Sequence, residues 1–585
     1  MNKQDYDIMN SLIEEPFLNQ RILSEKSGYA LGTVNRTIKK MSENGYIDES
    51  MMLTERAKRE VERKKPKNAI ILAAGYGMRM VPINTEIPKG LLKIYGEPLI
   101  ERLIKQLHQT GIREIYIVVG YMKERYEYLI DEYGVKLVVN MEYSTKNNLC
   151  SLAKVASHLS DTYIIPCDIW CRNNPFSEIE LYSWYMVSEK KSDSSNVRIN
   201  RKSELVMIPE AKEGNEMLGI CYLVEEQAKV VRSNIMKMSQ KREYDGSFWE
   251  EALYDHGKMI AYARVVEDTD AVEINTYEQL RDFDNQSEQL QTTAVLEIAK
   301  ALEVQPQDIH NIVVLKKGMT NRSFLFDCKN QRYIMRIPGE GTDRLIDRKQ
   351  EANVYEAIRT FSICDEIVYL NKENGFKITQ YIEHAHNCDP LNWDEVGACM
   401  KKLRSFHRMG LQVDHVFDLF HQIQYYEELW QGQESIYRDY KKTKEHIFSL
   451  KKWIDKQPKD CVLTHIDAVP DNFLFSQNGE IRLIDWEYSG MQDPHVDIAM
   501  FCIYALYDRK QVDRLIDLYF DNNCSEAVRM KIYAYIAVCG LLWSNWCEYK
   551  RNLGVEFGEY ALCQYRYAKD YFYLVYKYLE EEQDA

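Results

Sequence analysis

The sequence predicts a multidomain chain of three parts, in the order small α-helical module, α/β layer, and α+β unit of two lobes. Three observations carry this reading. At 585 residues the chain exceeds what one hydrophobic core serves, and at roughly 150 residues per domain it divides into about three or four units. The apolar pattern changes twice. It has helical spacing up to residue 64, short apolar runs alternating with helical stretches from Asn68, and strands followed by long helices after residue 293. Before that last change, DNQSEQLQ lacks apolar periodicity and reads as a linker. The parts are expected at 1–65, 67–285 and 293–585.

Bulk composition narrows the function classes. With 45% hydrophobic and 28% charged residues, each part can bury a core, which excludes a disordered or collagenous chain. A net charge of -15 argues against a surface that wholly wraps nucleic acid or lies on an anionic membrane, while leaving room for a local basic patch. The 14 cysteines form neither a C-x-x-C pair nor a Cys/His cluster at zinc spacing, so reduced thiols are expected. No leader pattern opens the sequence and no run of 18 apolar residues occurs in it. A cytoplasmic protein without a membrane span is the expectation.

In the first part, Asp5–Glu14 is apolar at helical spacing, Asn19 can cap a second helix, and a third runs from Ala30 to Asn44 and stops at Gly45. An extended piece from Tyr46 to Leu53 precedes Thr54, which can cap a helix through Arg56, Arg59 and Arg63. This order resembles a winged helix-turn-helix. The resemblance implies a third helix that enters the DNA major groove with Thr33, Asn35, Arg36, Lys39 and Lys40. A helical module that docks against a partner or the rest of the chain is the alternative. The basic run Arg63, Lys64, Lys65 and Lys67 around Pro66 reads as a solvated linker.

In the middle part, strands are predicted at Ala69–Ala73, Ile115–Val119, Lys136–Val139 and Thr162–Pro166, with helices at Pro98–Gln109 and Met122–Tyr133. The first strand runs into LAAGYGMRM and then IPKGLL, so small residues stand where backbone N–H groups can meet an anion. Neither G-x-x-x-x-G-K-[ST] nor the dinucleotide glycine triad is present. Together with Arg79, Lys89 and the acidic IIPCDIW, the stretch resembles the nucleotidyltransferase family that makes nucleotide sugars and CDP-choline, which has a Rossmann-like α/β fold. That resemblance implies that Ala73, Ala74, Gly75 and Gly77 line the nucleotide, Arg79 and Lys89 hold phosphates, and Asp168 binds Mg²⁺. Asn147, Asn148 and Ser151 in KNNLCSL are similar to the phosphocholine cytidylyltransferase branch, where such a stretch lies near the nucleotide. Asn275 stands where relatives often place an acidic metal ligand, which leaves the second contact open, with Glu273 as a substitute. Trp170 and Trp249 are candidates either to face a trimethylammonium group or to fill the core.

The last part carries THIDAVPDNFLF followed by IRLIDWEYSG. A loop H-x-D-x-x-x-x-N and a following strand Asp supply one carboxylate for a hydroxyl proton and two groups for Mg²⁺ on ATP phosphates. Asp467 is read as catalytic base, Asn472 and Asp485 as metal ligands, His465 as a loop-ordering residue, and Asp493 and Asp497 as braces. Upstream, LKKGMTNRSFLF places Thr320 and Asn321 at a phosphate-covering turn, and Arg336 takes the strand position of the protein-kinase lysine, with Glu351 as its partner. The arginine and the I-D-W-E segment resemble choline and ethanolamine kinases, which have a two-lobed protein-kinase-like fold. Trp543 and Trp546, three apart on one helix face, are similar to that family's choline cage, with Glu487 and Tyr488 completing it.

One part's expected product, phosphocholine, is the other's expected nucleophile, so an enzyme using choline, ATP and CTP is the leading reading. Ethanolamine, another amino alcohol or a sugar phosphate as substrate, and a choline-sensing transcriptional regulator, are the alternatives.

Overall fold

The computed structural model describes residues 3–15, 19–193, 195–208, 213–315, 321–339, 341–553, 555 and 557–584. They form two compact units, Met1–Thr292 and Thr293–Ala585.

The first unit opens with helices Lys3–Glu14, Gln20–Ser27, Leu31–Glu43 and Glu55–Glu62. Asn19 accepts from the N–H groups of Arg21 and Ile22 at 3.1 and 3.0 Å, and Thr54 caps the fourth helix through Ala57, satisfying N–H groups that have no partner within the helix. The wing is reduced to one bridge, Ile47 to Leu53. Ile8, Leu12, Leu23, Val34, Ile38 and Met41 form a small core that also encloses Leu181 from the following layer. In the basic joint Arg63, Lys65 and Lys67 are exposed, as the solvated-linker reading expects, while the joint is also docked on the layer. Lys64 O accepts from Glu180 N at 3.2 Å, and Lys67 Nζ pairs with Asp161 at 2.9 Å, because so short a connection runs directly into the sheet.

That sheet has ten strands. Lys136–Val139, Ile115–Val119, Asn68–Ala73 and Thr162–Pro166 lie side by side in parallel. Beyond Thr162–Pro166 the sheet continues through Gly214–Leu223, Trp184–Ser192, Lys258–Val266, Glu204–Met207 and Val197–Ile199, mostly antiparallel. The pattern reading did not identify this extension. Its strands are interrupted, as at Gly219 with φ 83° and the register shift between Met217 and Cys221, which breaks the alternation that marks a strand. The stretch read as a linker is docked as well: Asp284 Oδ2 accepts from Tyr95 N at 2.7 Å and Gln289 Oε1 from Lys93 N at 2.9 Å.

The second unit begins with helix Thr293–Leu302 and an antiparallel sheet of five strands, ordered His310–Val314, Asn321–Cys328, Gln331–Pro338, Lys377–Gln380, Ile367–Leu370. Helix Arg348–Ile358 follows the third strand in sequence. The rest is mainly helical and is centred on Glu526–Asn552, whose residues from Met530 to Lys550 are all buried. That helix has the length and apolarity of a membrane span, but here it is the core helix of the unit. Thr320 lies outside the described residues.

Candidate active sites

Strand Asn68–Ala73 ends in Ala73 and Ala74, both 3% exposed, and in the open turn Gly75–Gly77. Gly77 has φ 64°, a conformation that a side chain resists. The sequence reading missed Gly120. A Cβ there would lie 2.8 Å from Ala74 O and 2.9 Å from Tyr143 Cβ, so only glycine lets the neighbouring strand end close against this turn.

Four polar side chains from distant segments meet beside the turn. The Lys89 ammonium donates to Asp168 Oδ2 and, at 2.7 Å, to Asn275 Oδ1. Arg79 donates to the same Asn275 oxygen at 2.9 Å. Ile274 N donates to Asp168 O at 2.9 Å, which ties the chain leading to Asn275 to Asp168. Asn275, noted in the sequence as a departure, thus stands within the cluster and offers a neutral oxygen. Glu273 lies beside it, its carboxyl raised by burial and by the charge of Asp168. Glu250 was not foreseen. Burial pushes it up to about 7, and it accepts from Tyr185 OH at 3.1 Å.

Asn148 does different work in this structure. Its Oδ1 accepts from Trp249 N at 2.8 Å, while Asn147 caps the helix Asn148–Lys154 and donates to Gly246 O at 3.1 Å. Ser151 Oγ accepts from Asn140 at 3.0 Å. The two asparagines thus fix loop 245–249. Trp249 is 2% exposed, and Trp170 packs on Phe283 at 5.0 Å and under Arg102 at 5.2 Å, so both rings have core partners.

In the second unit, a cavity of about 670 Å³ is lined by Arg336, Asp467, Asn472, Asp485, Trp543 and Trp546, among others. Its loop is held from behind. Asp497 accepts from His465 N at 3.0 Å and Ile466 N at 2.7 Å, and His407 Nε2 is 2.9 Å from it. Asp493 takes Lys531 at 2.7 Å and Tyr535 OH at 3.0 Å. His465 Nε2 bonds Ile484 O at 3.0 Å, and burial pushes its imidazole down to about 4, which leaves it neutral at pH 7. Asn472 Nδ2 donates to Asp467 O at 2.8 Å and Oδ2 at 3.0 Å. Burial, then the charges of Asp485 and Glu487, pushes Asp467 up to about 8. Burial and Glu487 likewise raise Asp485 to about 7.

Arg336 donates to both oxygens of Glu351, at 2.5 and 3.0 Å, and to Gly375 O at 2.9 Å. Burial alone would raise Glu351, but Arg336 holds it down at about 2. Glu487 belongs to this network: it accepts from Arg348 at 3.2 Å and Asn321 at 3.1 Å. It was read as a cage residue. The structure places its carboxylate with the arginines, because a buried anion is costly unless cations meet it. Tyr488 instead packs edge-on to Trp543 at 5.5 Å. Trp543 and Trp546 are 5.7 Å apart, and Tyr426, unmarked in sequence, lies parallel to Trp543 at 6.5 Å. Lys377 was missed too. It is the cross-strand neighbour of Arg336, lines the cavity and donates to Tyr355 OH at 2.6 Å.

Comparison with known proteins agrees with this division. A family model described as choline/ethanolamine kinase matches residues 312–517, a MobA-like NTP transferase domain matches 69–175, and a winged helix-turn-helix DNA-binding model matches 1–48. Over 221 residues the chain is 32% identical to the choline-phosphate cytidylyltransferase of Streptococcus pneumoniae, covering 37% of this chain and 96% of that protein. It is 29% identical to Protein LicA of Haemophilus influenzae over 42% of this chain and 75% of the relative. The crystal structure of choline kinase LicA from Streptococcus pneumoniae is similar at 28% identity and TM-score 0.43, over 47% of this chain and 96% of that one. The chain therefore belongs to the choline-phosphate cytidylyltransferase family, joined in one polypeptide to a choline/ethanolamine kinase domain and preceded by a winged helix-turn-helix.

Proposed function

We propose that the chain is a bifunctional enzyme that phosphorylates choline with ATP and then joins the phosphocholine to CTP, releasing pyrophosphate and CDP-choline. Its working parts are residues 1–65, 67–285 and 293–585. What supports choline as the alcohol is that one cavity is lined both by Asp467, Asn472 and Asp485 and by Trp543, Trp546 and Tyr488. A quaternary nitrogen has no N–H to donate, so aromatic faces are its natural partners. In the kinase step, Asp467 accepts the hydroxyl proton. Arg336 and Lys377 set positive charge along the path of the phosphates. In the second step, Lys89 and Arg79 counter the charge of the triphosphate and of the departing pyrophosphate, while the turn at Ala73, Ala74, Gly75 and Gly77 receives the nucleotide.

Both centres suit Mg²⁺. Asp168 Oδ1 and Asp485 Oδ1 are buried acceptors without a hydrogen-bond donor among the described residues. Asp168 with Asn275, and Asn472 with Asp485, would hold the ion, which when bound supplies positive charge to phosphate oxygens. The use of cellular ATP and CTP, with all 14 cysteines free, fits the cytoplasm.

Incubation of the purified chain with Mg²⁺, ATP, CTP and either choline or ethanolamine tests this. Phosphocholine followed by CDP-choline is expected. A chain that turns over ethanolamine and ignores choline sinks the choline assignment. Trp543→Ala is expected to raise the choline KM by about 3- to 30-fold, the range of a cation–π contact, with less effect on ethanolamine.

A second activity has its own support. On helix Leu31–Glu43, Asn35, Arg36 and Lys39 are exposed and Thr33 half-exposed, as a DNA-reading face requires, although Lys40 is paired with buried Asp5 at 2.6 Å. DNA binding that weakens with salt is expected, and Arg36→Ala should reduce the logarithmic salt slope by about 1 if that arginine meets a phosphate. An unchanged slope and affinity would remove Arg36 from the interface.

A further inference from the structure

Within the first unit, the segment from Ile179 to Ser183 serves two bodies. Leu181, 1% exposed, is enclosed in the core of the N-terminal helices, with Ile179 and Tyr182 packed against it. Tyr182 OH donates to Asp7 Oδ1 at 2.8 Å. Asp7 also accepts from Tyr29 OH at 2.6 Å and Lys3 Nζ at 2.8 Å, so this carboxylate ties the first helix and the connection after the second to the segment. Glu180 faces the other body. Its carboxylate accepts from Tyr163 OH at 2.8 Å, Trp184 Nε1 at 2.9 Å, and Arg264 at 3.1 and 2.9 Å. Tyr163 sits on strand Thr162–Pro166, whose continuation carries Asp168. Ser177 N also donates to Tyr163 OH at 3.0 Å.

The chain that leaves Asp168 is therefore pinned at two ends. Residues Ile169–Cys171 pair with Ala271–Glu273, the strand that leads to Asn275. Some ten residues later the same chain is gripped by the N-terminal module, with Glu180 N bonded to Lys64 O at 3.2 Å. A transfer site is sensitive to placement, since a misplacement of about 1 Å can cost about 100-fold in rate.

We propose that the N-terminal module is a clamp for the cytidylyl-transfer site, and that Tyr182 and Asp7 are positioning residues acting through segment 172–183 on the paired strands Ile169–Cys171 and Ala271–Glu273 that flank Asp168 and Asn275. The inference rests on the cytidylyltransferase reading of this site. It does not depend on DNA binding, because the exposed face of Leu31–Glu43 is not the face that holds Leu181.

The test uses the full chain with Tyr182→Phe, Asp7→Leu and both together, substitutions that stay near in volume and leave no donor or no acceptor for the bond. With phosphocholine and CTP supplied, kcat for CDP-choline is expected to fall about tenfold in each single variant. The CTP KM should move by no more than about twofold. The double variant should be no worse than the Asp7 single variant, because Tyr182 acts through Asp7. Backbone hydrogen exchange in 172–183 should rise in all three, while ATP-dependent phosphorylation by the same preparations stays at the wild-type rate and reports an intact second unit. Wild-type kcat in all three variants overturns the proposal, whether or not exchange rises. Independent, multiplying losses in the double variant overturn it as well. Wild-type turnover reports on the function itself, and only the comparison of variants with wild type reports on the clamp.

Discussion

Asp467→Asn is expected to lower phosphocholine formation by about 10²- to 10⁴-fold, the usual worth of a positioned general base. CDP-choline formation from supplied phosphocholine should stay at the wild-type rate. The substitution removes the proton acceptor and little else. Asn472 also bonds the backbone oxygen of residue 467 at 2.8 Å, and Asp497 holds the loop through the N–H groups of His465 and Ile466, so the loop keeps its anchors. Losing one of several crowded carboxylates relieves repulsion with Asp485 and Glu487, so the variant should fold. An ADP-release assay reads the first quantity and a pyrophosphate-release assay the second. A variant that keeps a tenth or more of the wild-type kinase rate would remove Asp467 from the role of base.

Lys89→Ala is expected to do the reverse, lowering CDP-choline formation by about 10²- to 10³-fold, as loss of one preorganised charge donor does, and sparing the kinase. Lys89 meets Asp168 and Asn275 at once, and no neutral side chain can replace that. Its loss also leaves Asp168 and Glu273 facing each other with less counter-charge, and Glu273 is already raised by that neighbour. Its pKa should therefore rise further. If either substitution removed both activities from a folded chain, the assignment of one activity to each unit would be wrong.

The two units differ in how much of each site could be read in advance. In the second, Asp467 and Asn472 lie in one short loop and Asp485 just after the hairpin strand Ile481–Leu483, so their convergence follows from local geometry. The tryptophans three apart on one helix were equally legible, since helical periodicity places them on one face. Glu487 was not. It adjoins Tyr488 in sequence, but its partner Arg348 is 139 residues away, and that cation decides which way the carboxylate is satisfied. In the first unit, the turn after the first strand was legible from its small residues and Asn275 stood out as a departure, while Gly120 was not, because it matters only for what a distant segment brings to it.

By itself the sequence determined the order of the three parts, the four parallel strands, the small-residue turn after the first strand and the loop of Asp467 and Asn472, since each depends on residues close together along the chain. Only the tertiary structure decided that Asn275 stands with Lys89, that Glu487 stands with arginines, and that Leu181 is buried in the N-terminal module. Those pairings are set by burial and charge compensation between segments tens to hundreds of residues apart, and no local pattern of apolar spacing encodes them.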